Sequence, residues 1–141
     1  MTKIVVDASV AIKWYVPEIH STPAVRLLEG DFILLAPDLI GAELANAVWK
    51  KVRRAEISRQ EGNEILAAFD KLQLELAPTR PLLAAAYEAA IALDRTVYDC
   101  LYLALAVAQN CALFTADRKF YSAVLTSPAL AAHIRWIEDA P

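Results

Sequence analysis

Short aliphatic runs alternate with helical patterns along the whole chain. The runs are rich in β-branched and aliphatic residues and have the length of strands. They cover Lys3 to Val6, Phe32 to Leu35, Leu74 to Ala77, Ala112 to Phe114 and Ile134 to Ile137. Because one or two helical segments separate successive runs, the pattern predicts an α/β fold with a parallel sheet covered on both faces.

Capping residues and apolar spacing mark the helices between these runs. Ser58 and Glu61 have the spacing of a capping box at a helix start. The segment Val97 to Gln109 is apolar on nearly every side, which predicts a buried helix. The other predicted helices are Ala8 to Val16, a helix capped by Ser21 or Thr22, a long helix opened by Pro37 and Asp38, Pro81 to Leu93, and a helix from about Arg118.

The composition favours a single domain, residues 1–141, that folds without disulfides. Cys100 lies in the apolar helix and Cys111 in a predicted strand, so both are interpreted as small core residues in a reducing compartment. Hydrophobic residues make up 57% of the chain, against roughly 45–50% in typical domains, so part of the surplus is expected to cover an interface. The net charge of −3 argues against attraction of nucleic acid by the overall field.

The beginning of the chain has a strand pattern instead of a basic segment followed by an apolar one, which predicts no signal peptide. The longest apolar stretch, Cys100 to Ala108, is far shorter than the roughly 20 residues that a bilayer requires. We therefore expect a cytoplasmic protein with no membrane partner.

Four acidic residues lie far apart in the chain, at positions where an α/β fold brings side chains to one edge of the sheet. Asp7 directly follows the first predicted strand, and Asp117 comes shortly after the fourth. Glu43 and Asp99 lie near the starts of predicted helices. Open α/β sheets bind ligands at the carboxyl ends of their strands, so the four acids are expected to form one site.

Carboxylates gathered in this way require a compensating charge. Unit charges about 4 Å apart at an effective dielectric near 20 repel by roughly 4 kcal/mol, so protons or a cation must offset the repulsion. An oxygen ligand set without a His or Cys cluster matches Mg²⁺ or Mn²⁺ better than Zn²⁺.

Each acid also has a purely structural explanation. Asp7 and Asp117 could cap the helices that follow them, and Glu43 is an ordinary helix residue. Asp99 could complete a capping box with Thr96. However, Asp99 opens the buried helix, and a buried carboxylate is retained only when it is paired or bound to a cation.

The segments around these acids are distinctive motifs. They are Val5–Trp14 (VVDASVAIKW), Pro37–Asn46 (PDLIGAELAN), Thr96–Ala106 (TVYDCLYLALA) and Leu113–Phe120 (LFTADRKF). In this order, and over nearly the whole chain, they resemble the motifs of PIN-domain ribonucleases of the VapC toxin type.

The resemblance implies a three-layer α/β/α PIN-like fold whose central parallel sheet has about five strands. It also implies a homodimer and a small VapB-like antitoxin partner that binds across the active-site groove. The family's acidic quartet matches Asp7, Glu43, Asp99 and Asp117, and its supporting positions match Ser9, Asn46 and Thr115.

The quartet suggests a hydrolytic mechanism, stated here as a hypothesis. Asp7, Asp99 and Asp117 would hold one or two Mg²⁺ or Mn²⁺ ions, and Glu43 would orient or deprotonate the attacking water. A bound cation acidifies water and stabilises charge on the phosphate, so RNA hydrolysis needs no nucleophilic side chain.

Basic residues near the acids are predicted to bind the RNA substrate. These are Arg118, Lys119 and Lys13. A second basic cluster, Lys50 to Arg54, is interpreted as a solvated helix end that compensates the helix dipole, with RNA contact as the alternative.

Other protein classes also collect acids at strand ends. A haloacid-dehalogenase-like phosphatase would have an acid two residues after Asp7, where this chain has Ser9. A receiver domain would need a lysine after a late strand, which nothing here provides convincingly. The non-enzyme alternative is a catalytically silent PIN-like module that binds RNA or protein, which the intact quartet disfavours.

Overall fold

Five parallel strands form the centre of the computed structural model, which describes residues 1–141. The strands are β1 (Thr2–Val6), β2 (Phe32–Pro37), β3 (Glu75–Ala77), β4 (Ala112–Thr115) and β5 (Ile134–Trp136). The helices are α1 (Ala8–Ala11), α2 (Ser21–Glu29), α3 (Ile40–Arg53), α4 (Arg59–Asp70), α5 (Leu83–Leu93), α6 (Val97–Ala108), α7 (Arg118–Leu125) and α8 (Pro128–Ala131). Short 3₁₀ turns cover Ile12–Trp14, Arg80–Leu82 and Ile137–Asp139.

The sheet has the strand order β3-β2-β1-β4-β5, and every neighbouring pair is parallel. Ile4, Val5 and Val6 in the central strand are all buried, although successive side chains of a strand point to opposite faces. Helices therefore cover both faces of the sheet, and the predicted three-layer α/β/α arrangement with five parallel strands is confirmed.

Strand β1 lies at the point where the chain changes direction within the sheet. Strand β2 is on one side of β1, whereas β4 is on the other. Such a switch point opens a crevice outside the carboxyl ends of the two adjacent strands, because the connections that follow them run to opposite sides. Val6 pairs with Phe114, so Asp7, the first residue after β1, and Thr115, the last residue of β4, lie side by side.

Helix α6 packs across β1, β2 and β4, with α5 alongside it. All residues from Cys100 to Ala106 are buried, so the prediction of a buried helix here is confirmed. Asp99 and Tyr102 are thereby held close to the carboxyl ends of the central strands. None of the helices combines the length and the apolar character that a membrane crossing needs.

The predicted start of the third helix is wrong by a few residues. Pro37 is the last residue of β2 and pairs with Ala77 of β3, and α3 begins only at Ile40. The strand ladder extends this far because the Asp38 N–H donates to the Ala77 carbonyl at 2.9 Å. The proline therefore ends a strand and does not open a helix.

The predicted cap of the second helix is also wrong. Ser21 is the first residue of α2, and His20 precedes it in a left-handed conformation with φ of 66°. The Ser21 hydroxyl accepts a hydrogen bond from the Glu18 N–H and donates to the Val16 carbonyl. It therefore closes the turn before the helix, while the first N–H groups of α2 lack a side-chain cap.

Two smaller boundaries differ from the sequence prediction. The first helix ends at Ala11 and tightens into the 3₁₀ turn Ile12–Trp14, where the Tyr15 N–H donates to the Ile12 carbonyl. Cys111 lies just before β4 and is only partly buried. The capping box of Ser58 and Glu61 is present as predicted.

Candidate active site

The Asp7 carboxylate is fixed by two hydroxyl groups at the end of the central strands. Thr115 Oγ1 donates to Asp7 Oδ2 at 2.6 Å, and Ser9 Oγ donates to Oδ1 at 2.5 Å. The Val10 N–H also donates to Oδ1 at 3.2 Å, so Asp7 caps α1 as its structural explanation predicted. Asp7 is only 7% exposed and Thr115 is fully buried, so the orientation of this carboxylate is set by the fold.

The same two hydroxyl groups hold the segment that carries Asp117. The Ala116 N–H donates to Ser9 Oγ at 3.0 Å, and the Asp117 N–H donates to Thr115 Oγ1 at 3.1 Å. Asp117 in turn caps α7, because its Oδ1 accepts a hydrogen bond from the Phe120 N–H at 3.2 Å. Ser9 and Thr115 therefore bridge the two aspartates, which keeps the ends of β1 and β4 in register.

Burial raises the pKa of Asp7 to about 6. The hydrogen bonds from Ser9, Thr115 and the Val10 N–H oppose this rise in pKa, and the charge of Asp99 adds to it. Three hydrogen bonds therefore do not fully compensate the loss of water around the charged carboxylate. A cation close to Asp7 would stabilise its ionised form.

Glu43 is held by a hydrogen bond from the buried helix. The Tyr102 hydroxyl donates to Glu43 Oε1 at 2.6 Å, while Oε2 has no hydrogen-bond partner in the protein. Burial raises the pKa of Glu43, the Tyr102 hydrogen bond opposes the rise, and the charge of Asp99 adds to it. Burial and the Glu43 carboxylate also raise the pKa of Tyr102, so this hydroxyl remains a donor. One oxygen of Glu43 is thus fixed and the other is free to bind a proton.

A shallow pocket lies beside Glu43. Tyr98 is 59% exposed at its edge. The side chain of Asn46 is exposed and makes no hydrogen bond within the protein. The pocket is lined by Leu39, Ala42, Glu43, Asn46 and Tyr98.

Asp99 lies in the first turn of α6, where its backbone N–H donates a hydrogen bond to the Thr96 hydroxyl at 3.1 Å. The side chain is 29% exposed, so the expectation that this carboxylate is fully buried is wrong. The first turn of the helix reaches the crevice, while burial begins one residue later at Cys100. Burial still raises the pKa of Asp99; Arg95 opposes the rise, and the charge of Asp117 adds to it.

The charge of Asp99 acts on all three other acids. It adds to the raised pKa of Asp7 and to that of Glu43, and Asp117 adds to the raised pKa of Asp99 itself. The four predicted acids therefore form one electrostatic neighbourhood, in which Asp99 is coupled to each of the others.

Arg95 is the cation within this neighbourhood. Its Nη2 lies 3.2 Å from Asp99 Oδ2 and 3.4 Å from Asp117 Oδ2. The Arg95 side chain is 24% exposed, and its Nε is buried with no hydrogen-bond partner. Arg95 thus offsets part of the repulsion between Asp99 and Asp117.

The carboxylates fit a hard divalent cation by their chemistry, although their present spacing is too wide. No three His, Cys, Asp or Glu side chains lie close enough together to bind one metal ion. The donors are all oxygens, and Asp99 Oδ1 and Glu43 Oε2 have no partner in the protein. Oxygen donors of this kind suit Mg²⁺ or Mn²⁺. Binding of such an ion would require these side chains to move closer together.

The basic residues predicted to contact substrate differ in their exposure and in whether they already form ion pairs. Arg118 is exposed and stacks on Trp136, with its guanidinium carbon 3.9 Å from the ring centroid. Lys119 is exposed and makes no ion pair. Lys13 is only 10% exposed and its Nζ lies 3.0 Å from Glu18, so contact with RNA would require this ion pair to open.

The second basic cluster is partly used within the protein. Lys51 lies 3.0 Å from Glu18 and 3.6 Å from Glu56, and Arg53 lies over the Trp49 ring. Lys51 is therefore less solvated than the interpretation of Lys50 to Arg54 as a solvated helix end implied, while RNA contact by this cluster stays an untested alternative.

Arg95 and Tyr102 were missing from the residues predicted from sequence. Tyr102 lies three residues after Asp99, so the two are neighbours on one helical face, and that spacing was an available signal. Arg95 lies four residues before Asp99, but it precedes the helix. The direction of its side chain therefore depends on the loop conformation, which the sequence pattern does not predict.

Comparison with known proteins agrees with this fold. The PIN domain family model matches residues 4–124. Ribonuclease VapC3 from Pyrobaculum aerophilum is 34% identical over 83% of this chain and 91% of its own length. Ribonuclease VapC1 from Mycobacterium tuberculosis is 32% identical over 87% of this chain and 92% of its own.

Solved structures share the same fold at lower sequence identity. VapC20 from Mycobacterium tuberculosis, described as a toxin that cleaves the Sarcin-Ricin loop, superposes with a TM-score of 0.67 at 16% identity, over 85% of this chain and 94% of that one. A chain of VapBC2 from Rickettsia felis, bound to a DNA fragment from its promoter, gives 0.66 at 18% identity, over 96% and 98%. This α/β protein with an acidic crevice therefore belongs to the PIN-domain family, among the VapC ribonucleases.

Proposed function

We propose that this chain is an Mg²⁺- or Mn²⁺-dependent endoribonuclease that acts as the toxin of a VapBC-type toxin–antitoxin pair. The observation that supports this most directly is that Asp99 and Asp117 both contact Arg95 Nη2, at 3.2 Å and 3.4 Å, while burial, together with the charge of Asp99, raises the pKa of Asp7 and of Glu43. A fold that brings four carboxylates near one another despite their repulsion has the charge pattern of a cation site.

Glu43 is the residue best placed to handle the proton of the attacking water. Tyr102 holds one carboxylate oxygen, and the other oxygen has no partner in the protein. A raised pKa makes the carboxylate a stronger base than a fully solvated one, which favours proton abstraction near neutral pH. Glu43 would therefore orient a water molecule and accept its proton as the phosphodiester is attacked.

Asp7, Asp99 and Asp117 would hold the cation, directly or through water. The fixed hydroxyls of Ser9 and Thr115 keep Asp7 and the Asp117 segment in place without reorganisation. The bound cation would supply a more acidic water and neutralise charge on the phosphate. Preorganisation of this kind is what a catalytic site requires of its supporting residues.

The substrate would approach across the crevice between Tyr98 and Arg118. Tyr98 is exposed beside Glu43 and Asn46, and it offers an aromatic face on which a base can stack. Arg118 and Lys119 begin α7 next to Asp117, where positive charge favours a phosphate backbone. Lys13 would contribute only if it leaves Glu18.

The partners follow from family membership and stay predictions for this chain. VapBC2 of Rickettsia felis pairs a toxin with its antitoxin by name. We expect a small antitoxin protein to cover the acidic crevice, and we expect the chain to form a homodimer. We also retain the predictions of a single domain over residues 1–141 and of a cytoplasmic location.

A catalytically silent module that binds RNA or protein is the second candidate. It would share the fold and could retain the acids for structural reasons, since Asp7 and Asp117 both cap helices. It differs from the nuclease in needing neither a divalent cation nor an ionised Glu43.

The test is cleavage of a random-sequence RNA pool by the purified protein, with fragment ends determined by sequencing. Reactions contain Mg²⁺, Mn²⁺ or EDTA. Asp99→Asn removes one charge from the centre of the quartet. Asp94→Asn is the matched control, because Asp94 is exposed and Asn tolerates its left-handed conformation with φ of 53°.

We expect defined cleavage sites with either metal and none in EDTA. Asp99→Asn should reduce the rate by on the order of a hundredfold or more, whereas Asp94→Asn should cleave at the wild-type rate. RNA binding without cleavage under every condition would favour the silent module. Cleavage that persists in EDTA would contradict the metal-dependent mechanism.

A further inference from the structure

The guanidinium of Arg95 contacts two of the four acids, and a single nitrogen atom makes both contacts. Nη2 makes both contacts, at 3.2 Å to Asp99 Oδ2 and at 3.4 Å to Asp117 Oδ2. These are the only polar contacts of the side chain, since no other hydrogen bond or ion pair of Arg95 is present. Its Nε is buried without any partner.

This arrangement is a weak way to hold an arginine. Strong arginine–carboxylate pairs use two parallel hydrogen bonds at shorter distances, whereas here one nitrogen is shared at the long end of the hydrogen-bond range. A buried N–H group without an acceptor is unfavourable. Arg95 also precedes the N-terminus of α6, where the helix dipole disfavours a positive charge. Asp99 and Asp117 are therefore the only polar groups that hold the Arg95 side chain in this position.

We propose that Arg95 is an internal counter-ion, which offsets part of the charge of Asp99 and Asp117 in the absence of a divalent cation and competes with that cation for the two carboxylates. The proposal rests on the proposed function, because it takes the acid cluster to be a cation site. Both contacts join one Arg95 nitrogen to an Oδ2 atom, so a metal ion that binds these two Oδ2 atoms must replace the arginine.

The competition has a direct physical consequence for metal affinity. Binding of a divalent ion to the two Oδ2 atoms would break both Arg95 contacts, so part of the attraction between the ion and the carboxylates would be offset by their loss. A neutral residue at position 95 would remove that competitor and leave the carboxylates more repulsive towards each other. Either effect makes the cation bind more tightly.

The test measures Mn²⁺ binding to the EDTA-treated and dialysed full chain by isothermal titration calorimetry. Arg95→Met keeps a long, unbranched side chain without charge, and Arg95→Lys keeps the charge. Arg59→Met is the matched control, because it removes the same charge from an exposed arginine that makes no ion pair. We expect Arg95→Met to lower the Kd for Mn²⁺ by on the order of tenfold, Arg95→Lys to lower it less, and Arg59→Met to leave it unchanged.

A second measurement uses the wild-type protein, so the test does not depend on the folding of a variant. The Nε–Hε resonance of Arg95 is assigned in ¹⁵N-labelled protein by its loss in Arg95→Lys, and Mg²⁺ is then added. We expect saturating Mg²⁺ to shift this resonance and to speed its exchange with water, because the buried Nε becomes solvated. The corresponding resonance of Arg59 should not change.

An unchanged or higher Kd in Arg95→Met would overturn the proposal. An Arg95 Nε–Hε resonance whose shift and exchange rate do not change at saturating Mg²⁺ would overturn it as well. If the wild type binds Mn²⁺ and cleaves RNA while Arg95→Met binds no more tightly, only the counter-ion role fails. If neither protein binds Mn²⁺, both the counter-ion role and the metal-dependent function fail. Binding by Arg95→Met alone would support the competition.

Discussion

The Tyr102 hydroxyl donates a hydrogen bond to Glu43 Oε1 across 2.6 Å, between residues 59 positions apart in the chain. It joins the buried helix α6 to α3, which carries Glu43. Because Tyr102 is only 1% exposed, its position is set by the core, and the core therefore sets the orientation of the proposed base. The geometry of the proposed active site therefore depends on packing on the side of the helix that faces away from solvent.

Tyr102→Phe should lower the activity and move its pH dependence. The change removes a hydrogen bond that lowers the pKa of Glu43, so a higher pH is needed to ionise the base. We expect kcat to fall by about tenfold and the acidic limb of the pH–rate profile to move to higher pH. Initial rates of RNA cleavage between pH 5 and pH 9 measure both effects.

Tyr87→Phe is the control for this prediction, because Tyr87 is 57% exposed and its hydroxyl makes no hydrogen bond in the protein. It should match the wild type in rate and pH profile. A Tyr102→Phe enzyme that is slower but keeps the wild-type acidic limb would show that Tyr102 supports packing without affecting the ionisation of Glu43.

Thr115→Val should destabilise the protein, because it removes the hydroxyl that joins two acids. Thr115 Oγ1 donates to Asp7 and accepts the backbone N–H of Asp117, and the residue is fully buried. Valine has nearly the same shape, so the loss comes from unsatisfied polar groups at a cost of roughly 1–3 kcal/mol. Chemical denaturation followed by circular dichroism measures the free energy of unfolding.

Thr126→Val provides the comparison for this loss. Thr126 is exposed and its hydroxyl donates only to the Ala123 carbonyl, so water can replace the bond. We expect a change of less than about 0.5 kcal/mol for this variant. Equal effects of the two substitutions would contradict the bridging role of Thr115.

Asp7→Asn should change the pH dependence of stability in metal-free protein. Burial raises the pKa of Asp7 from 3.8 to about 6, so the folded state binds the proton more tightly than the unfolded state between these values. The contribution of Asp7 to stability is therefore greatest below pH 4 and falls as the pH rises towards 6. At neutral pH the ionised group costs roughly 3 kcal/mol relative to acid conditions, and Asn does not have this cost.

The measurement compares free energies of unfolding of wild type and Asp7→Asn in EDTA from pH 4 to pH 7. The stability of the variant relative to the wild type should rise across this window. Asp94→Asn, at an exposed site, should show no such trend. A difference between Asp7→Asn and wild type that is independent of pH would mean that Asp7 has no raised pKa in the folded state.

Ile91→Lys should prevent homodimer formation. Leu83, Tyr87 and Ile91 are spaced four residues apart on α5 and are 47%, 57% and 63% exposed, so they form one apolar stripe. Exposed apolar stripes of this kind mark protein interfaces. We expect the wild type to be a dimer by light scattering coupled to size-exclusion chromatography, and Ile91→Lys to be a monomer at the same concentration.

Ile19→Lys makes the same change at an isolated apolar residue that is 73% exposed and lies before α2. This variant should remain dimeric. A monomeric wild type, or a dimeric Ile91→Lys, would show that the α5 stripe is not a homodimer interface.

Local pattern was sufficient to predict the elements and the general location of the site. Aliphatic runs bounded by helices predicted all five strands, and the all-apolar segment after Thr96 predicted the buried helix α6. Asp7 and Asp117 follow strands that end at the same edge, so their convergence depends only on a parallel sheet. Element boundaries were less predictable where a residue type is common both at helix starts and in neighbouring turns or strand ends. Pro37 at the end of β2 and Ser21 at the start of α2 are the two examples.

Sequence alone thus determined where the apolar runs lie, which strands these runs form and which acids follow the strands. These properties depend only on neighbours within a few positions of the chain. Only the tertiary structure decided that Tyr102 holds Glu43, that Thr115 joins Asp7 to Asp117, and that Arg95 lies between Asp99 and Asp117. Most of these contacts join residues that are distant in the chain, and all depend on the packing angles of helices and loops. Such angles follow from the whole core and are not encoded in any local pattern.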